Sequence, residues 1–254
     1  MPRPFLPLRI HPGLALTAAA LLTAVGPLQA AAPSPDQLRA LEGALNSREP
    51  AALDGLLKAG PGLDPAQLKT RRGRLLEKFP DARWQVRQGA PLQDGRPTVT
   101  IRVLGSRRQG DITYSLDAEQ RLALESEAGR ISGQELLREQ SILRSGEQSP
   151  PVSLLIPDAV LTGQSYDVDV IFDEPLDGAL TAGGITALNP DQVAEMDSPS
   201  IELGALAGGG LFKTVRAPLQ PGHQTWAVLL VHPDGVVSAT KRVRVVQDRR
   251  ALDP

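Results

Sequence analysis

A serine three residues ahead of a lysine, in Ser238-Ala239-Thr240-Lys241, has the spacing of a nucleophile and its amine base. That chemistry needs the two side chains one helical turn apart, so that the amine can take the hydroxyl proton. These residues lie in a run that reads as strand, where positions three apart face opposite sides. The match therefore carries no chemistry. Gly208-Gly209-Gly210-Leu211-Phe212-Lys213-Thr214 is built like a phosphate loop, but Phe212 stands where a glycine must precede the lysine. It reads as a flexible turn between strands. His223 precedes a strand and His232 sits in a turn, so both read as exposed loop residues and not as proton shuttles.

Two further sets concern binding. No Lys or Arg occurs between Arg144 and Lys213, while eleven Asp and Glu do. Within that block Asp167, Asp169 and Asp173 fall on one side of a strand, opposite Val168, Val170 and Phe172. Hard oxygen ligands gathered in this way can hold Ca²⁺, although the spacing fits no helix–loop–helix calcium loop. A solvated acidic face is the plainer reading. The other set is Trp84, Asp111 and Tyr114, which could line a ligand pocket in the first half with Asp111 and Tyr114 as its polar groups. The strand phase of Tyr114 makes a core position its plainer role. No cofactor is expected.

The elements that must position these residues divide into two halves of different charge. Residues 33–148 carry 18 Lys/Arg against 16 Asp/Glu, a balance of +2, and residues 149–254 carry 7 against 13, a balance of −6. The change falls at Ser145-Gly146-Glu147-Gln148-Ser149-Pro150-Pro151, a polar, proline-terminated stretch of the kind that links domains. The boundaries expected are 33–146 and 151–247, with a tail over 248–254.

The first half starts helical. Ser34-Pro35-Asp36 caps a helix carrying Leu38, Leu41 and Leu45, Ala51 to Leu57 reads as a second short helix, and Asp64-Pro65 opens a third with Leu68, Leu75 and Leu76 inward. From Trp84 the period is two, through Val86, then Val99 to Val103, Ile112 to Leu116, and Leu122 with Leu124. Ile131 to Leu143 has helix-forming composition, yet a final strand closing the sheet is preferred for it. The second half reads as all-β, with strands at Val152–Ile156, Tyr166–Phe172, Thr225–Val231 and Val236–Val246, the last two joined across His232-Pro233-Asp234-Gly235. The fold class expected is α+β: helices on a curved antiparallel sheet, followed by an all-β sandwich.

Residues 1–30 read as a secretory signal peptide. Arg3, Arg9 and His11 precede an apolar run from Leu14 to Val25, and Leu28-Gln29-Ala30 offers cleavage after Ala30. The run is too short for the roughly 20 residues of a membrane-crossing helix. The chain has no cysteine, so disulfides and thiolate chemistry are excluded. The expected location is periplasmic or secreted, with no membrane span after signal removal. The excess of Arg over Lys, with much Ala, Gly and Pro, reads as the genome composition of a GC-rich bacterium. The modest +2 of the first half is not the field of a nucleic-acid binder.

With its helices over Asp36–Phe79 and its sheet over Trp84–Leu143, the first half resembles the nuclear-transport-factor-2-like and cystatin-like α+β cones. The second half, with Pro221-Gly222-His223-Gln224-Thr225-Trp226 before one strand and Pro233-Asp234-Gly235 before the next, resembles immunoglobulin-like sandwiches. The resemblances imply architecture and leave the role to the site. The role expected is a non-enzymatic binding or assembly module of the cell envelope, with an envelope protein or small ligand as partner. The competing role is a small-ligand carrier or enzyme using the interior of the cone. A cone filled by side chains favours the first, and a deep pocket favours the second.

Overall fold

The computed structural model describes residues 31–146, 149–196, 198–206 and 208–252. The apolar N-terminal segment and Ala30 lie outside the described residues. Helix α1 (Pro35–Asn46) starts as its sequence dictates. Ser34 accepts the backbone N–H of Gln37, the Gln37 side chain accepts the N–H of Ser34, and Pro35 fills the first turn. Leu38, Leu41, Ala44 and Leu45 form its buried face. A four-residue 3₁₀ turn over Pro50–Leu53 replaces the longer helix expected over Ala51–Leu57. The chain leaves helical geometry there because Leu57 and Lys58 run beside Ile131, with the Lys58 N–H donating to the Ile131 carbonyl at 2.8 Å. Helix α2 (Pro65–Lys78) is capped by Asp64, whose carboxylate accepts the N–H groups of Ala66 and Gln67.

Four antiparallel strands follow: β1 (Arg83–Gly89), β2 (Thr98–Gln109), β3 (Ile112–Glu127) and β4 (Arg130–Ser145). The edge strand β1 is shielded by α1. Asn46 donates to the Trp84 carbonyl and accepts its N–H, and Glu42 accepts the N–H of Val86. Strand β4 takes in the whole ambiguous stretch 131–143. Its helix-forming composition yields because residues 139–145 are paired on both sides.

The second half contributes β5 (Val152–Leu155), β6 (Ala159–Leu161), β7 (Ser165–Phe172), β8 (Ala182–Leu188), α3 (Pro190–Glu195), β9 (Gly204–Ala205), β10 (Gly210–Arg216), β11 (Gly222–His232) and β12 (Gly235–Val246). The turn expected over Gly208–Thr214 is confined to its first glycines, and from Gly210 the chain is β10, paired with β7. Both histidines belong to β11. His232 is not an exposed loop residue, because its ring packs on Phe172 at 5.8 Å between centroids and its side chain is only 11% exposed.

The protein is mostly β, and its largest sheet runs through both halves in the order β1-β2-β3-β4-β12-β11-β8-β9, with β6 beside β12. The junction is the antiparallel pairing of β4 with β12, from Ser145 opposite Val236 to Glu139 opposite Arg242. A three-stranded sheet, β10-β7-β5, lies against one face of the second half's strands. Val168, Val170 and Phe172 of that sheet pack with Trp226, Val228, Leu230, Val237 and Val243 in one core. The Trp226 indole donates to the Tyr166 hydroxyl at 2.9 Å, which donates to Gln224. A second core lies between the helices and β1–β4, built on Leu41, Leu45, Leu53, Phe79, Trp84, Val99 and Leu122. Each half thus keeps its own core on a shared sheet.

Candidate functional site

Strand alternation determines which residues share a face. In β11, Trp226, Val228 and Leu230 enter the second half's core. Thr225, Ala227 and Leu229 therefore face the other way, and all three line a cavity of about 970 Å³. In β12 the residues of that face are Val236, Ser238, Thr240 and Arg242, and in β4 they are Glu139, Ser141, Leu143 and Ser145. Tyr114, Leu116, Ala118 and Gln120 continue the floor on β3, Ile101 and Val103 on β2, Trp84 on β1 and Leu188 on β8. The floor thus crosses seven adjacent strands. At ~4.8 Å per strand step it measures roughly 25–30 Å from β1 to β8.

The roof has two parts. Over the first half it is α1 and α2, through Leu41, Leu45, Leu68 and Leu75. Over the second half it is α3 and the segment after it, through Val193, Met196, Pro199 and Ile201. The close approach of this segment explains Gly184 on β8. A Cβ there would stand 2.1 Å from the carbonyl oxygen of Glu202, which no side chain permits. The two parts are clasped together. Arg74 of α2 pairs with Glu195 at 2.9 Å and donates to the Ala194 carbonyl, while Lys78 donates to the Met196 carbonyl at 2.9 Å. Those carbonyls end α3, where cations suit the unpaired groups.

The walls are mostly apolar under the helices and on β1 to β3, whereas the floor on β4 and β12 is largely polar, with Ser141 and Thr240 hydrogen-bonded at 2.7 Å and Ser145 and Ser238 beside them. One transverse row carries the floor's charges. Gln120, Glu139, Arg242 and Thr225 are direct neighbours across β3, β4, β12 and β11. Glu139 accepts from Gln120 at 2.5 Å and pairs with Arg242 at 3.3 Å. Asp64, the other carboxylate of the lining, is occupied as the α2 cap. Two lining groups have polar atoms that are buried without a hydrogen-bond partner among the described residues: Arg71 Nε and Thr225 Oγ1. Such atoms are uncommon in folded proteins and call for an explanation.

The basic stretch of α2 separates into different tasks. Lys69 pairs with Asp54 at 2.5 Å. Arg72 is buried, lies 5.6 Å from the Trp84 ring, and donates to the carbonyls of Leu45, in the last turn of α1, and Ser47, just after it. Burial without a carboxylate partner draws its pKa below the usual arginine value. Arg107 on β2 lies against both Phe79 and Tyr114, its guanidinium 5.3 and 5.0 Å from the ring centres.

Of the residues expected to line a pocket, Trp84 and Tyr114 do so. Asp111 does not. It occupies the exposed β2–β3 turn after Gly110, off the cavity. The acidic trio is placed on and after β7. Asp167 accepts the Thr214 hydroxyl at 2.7 Å, Asp169 faces the Lys213 N–H at 3.4 Å, and Asp173 follows the strand end. Among the described residues no three His, Cys, Asp or Glu side chains gather as a metal site. Among the described residues, no helix is long and apolar enough to cross a membrane.

What sequence reading missed is the second half's share of the cavity. Its signal was the run Trp226-Ala227-Val228-Leu229-Leu230-Val231, which never alternates with polar residues. A strand of that kind is covered on both faces.

Comparison with known proteins adds one match. Residues 147–246 match the family model of a domain of unknown function, DUF8623. No curated protein matches the chain.

Proposed function

We propose that this protein is an exported, non-enzymatic carrier that holds a small apolar molecule in the trough beneath α1, α2 and α3. One observation carries the reading: a single cavity of about 970 Å³ crosses the shared sheet, and Leu, Ile, Val and aromatic side chains are the largest group in its lining. Ligand sites usually occupy about 300–1,000 Å³, so this one stands at the upper end. Apolar surface of that extent is seldom left to water without a partner. Both lining carboxylates are already occupied, which supports binding over acid–base chemistry. A cone filled by side chains would favour the assembly module, and an open cavity favours the carrier.

In this reading the signal segment 1–30, cleaved after Ala30, delivers the chain to the periplasm or exterior. The first half, 33–146, is an α+β cone of the nuclear-transport-factor-2-like or cystatin-like kind. The second half, 151–247, is an immunoglobulin-like sandwich, supported by the packing of β10-β7-β5 on β12 and β11. The unusual element is the use of the sandwich's outer face as the continuation of the cone's floor.

The test is titration of the purified protein with Nile red, a neutral dye that brightens in apolar surroundings. Saturable binding near one dye per chain is expected. Ala118→Phe, which puts a ring into the trough from β3, should weaken it at least about tenfold while cooperative unfolding persists. The absence of saturable binding would remove the carrier reading.

A further inference from the structure

Resting on the carrier reading, we propose that the ligand is a single-chain amphiphile with an anionic head, and that Arg71 anchors the head. The shape argues for a chain. A floor crossing seven strands over roughly 25–30 Å is longer than a compact small molecule, so an extended ligand can span it where a compact one leaves much of it wet.

The charge argues for the head. Of the five cations on α2, four are committed: Lys69 to Asp54, Arg72 to carbonyls at the C-terminal end of α1, and Arg74 and Lys78 to α3. Arg71 is the exception among the described residues. It lines the trough, and its Nε is buried with no acceptor. A buried guanidinium N–H without a partner is costly, and a planar fork of donors matches the two oxygens of a carboxylate or phosphate. An oxyanion delivered by the ligand satisfies both needs. Arg107 and Arg242 do not substitute for it, since one is stacked on Phe79 and Tyr114 and the other is paired with Glu139.

The experiment is displacement of Nile red by dodecanoate, dodecyl phosphate and dodecanol, below their micelle concentrations, from the wild type, Arg71→Gln and Arg71→Lys. The two anionic chains should compete at about tenfold lower concentration than the alcohol on the wild type. Arg71→Gln should erase that advantage and leave dodecanol unchanged, and Arg71→Lys should retain part of it. The stronger of the two anionic competitors then names the head. Equal competition by all three on the wild type, or an equal loss for all three in Arg71→Gln, overturns the anchor and leaves the carrier standing. Failure of dye and chains alike removes the carrier, and the anchor with it.

Discussion

Ile142 and Leu143 are consecutive on β4 and belong to different cores: Ile142 packs with the second half's cluster and Leu143 with the first half's. Strand alternation makes this unavoidable once β4 is paired on both sides. The two halves are therefore mechanically one sheet, although their hydrophobic interiors do not mix.

Unfolding should accordingly be a single transition. Ile142→Ala should lower stability by about 2 kcal/mol, the low end for such a truncation because the side chain is only partly buried. Leu143→Ala, which widens the trough, should cost a similar amount, since Leu143 is also only partly buried. Calorimetry should show both variants with one transition and equal calorimetric and van't Hoff enthalpies. Two transitions, each moved by only one of the substitutions, would contradict the shared sheet.

A second expectation concerns Lys241, which is 3% exposed and bonded to Asp158. Burial draws its pKa below the usual lysine value, and the hydrogen bond that its ammonium donates to Asp158 opposes that shift. Asp158→Asn leaves the buried ammonium without its carboxylate and should cost about 2–3 kcal/mol, below the full buried-pair range because Asp158 is half exposed. Lys241→Met should be close to neutral. Urea denaturation of the two variants separates a removed pair from an abandoned charge.

The clasp between α2 and α3 should govern exchange more than stability. Arg74 and Glu195 are partly exposed, so Glu195→Gln should change stability by under about 1 kcal/mol. Because the pair joins the two parts of the roof, its loss should speed dye release several-fold in stopped-flow measurements. High salt should do the same to the wild type and little to the variant.

Acid should release a cross-strand pair on the outer face. Arg102 holds Asp117 through two bonds of 2.8 and 2.6 Å, and this keeps the carboxyl below the usual aspartate value of 3.8. A carboxylate depressed in the folded state stabilises fully above its unfolded value and loses that contribution as pH falls through the folded one. The window therefore lies below about pH 3.8, and the contribution should be under about 1 kcal/mol because both side chains are partly exposed. Carboxyl NMR titration should place Asp117 below 3.8 in the wild type and return it toward that value in Arg102→Ala.

The sequence by itself determined the local elements. Ser34 with Gln37 and Asp64 with Pro65 started α1 and α2, alternation marked β1 to β3, and Pro233-Asp234-Gly235 marked the β11–β12 turn. These signals act over a few residues, where caps, turns and side-chain period suffice. Strand β8 was not legible, because Ala182-Gly183-Gly184 has no side chains to alternate and its glycines answer to Leu230 and Glu202, distant in sequence. Only the tertiary structure decided that β4 pairs with β12, and hence that Thr225, Ala227 and Leu229 share a floor with Trp84 and Tyr114 while Asp111 stays outside. A period of two states that a face is covered. What covers it depends on long-range register, which one strand's pattern does not encode.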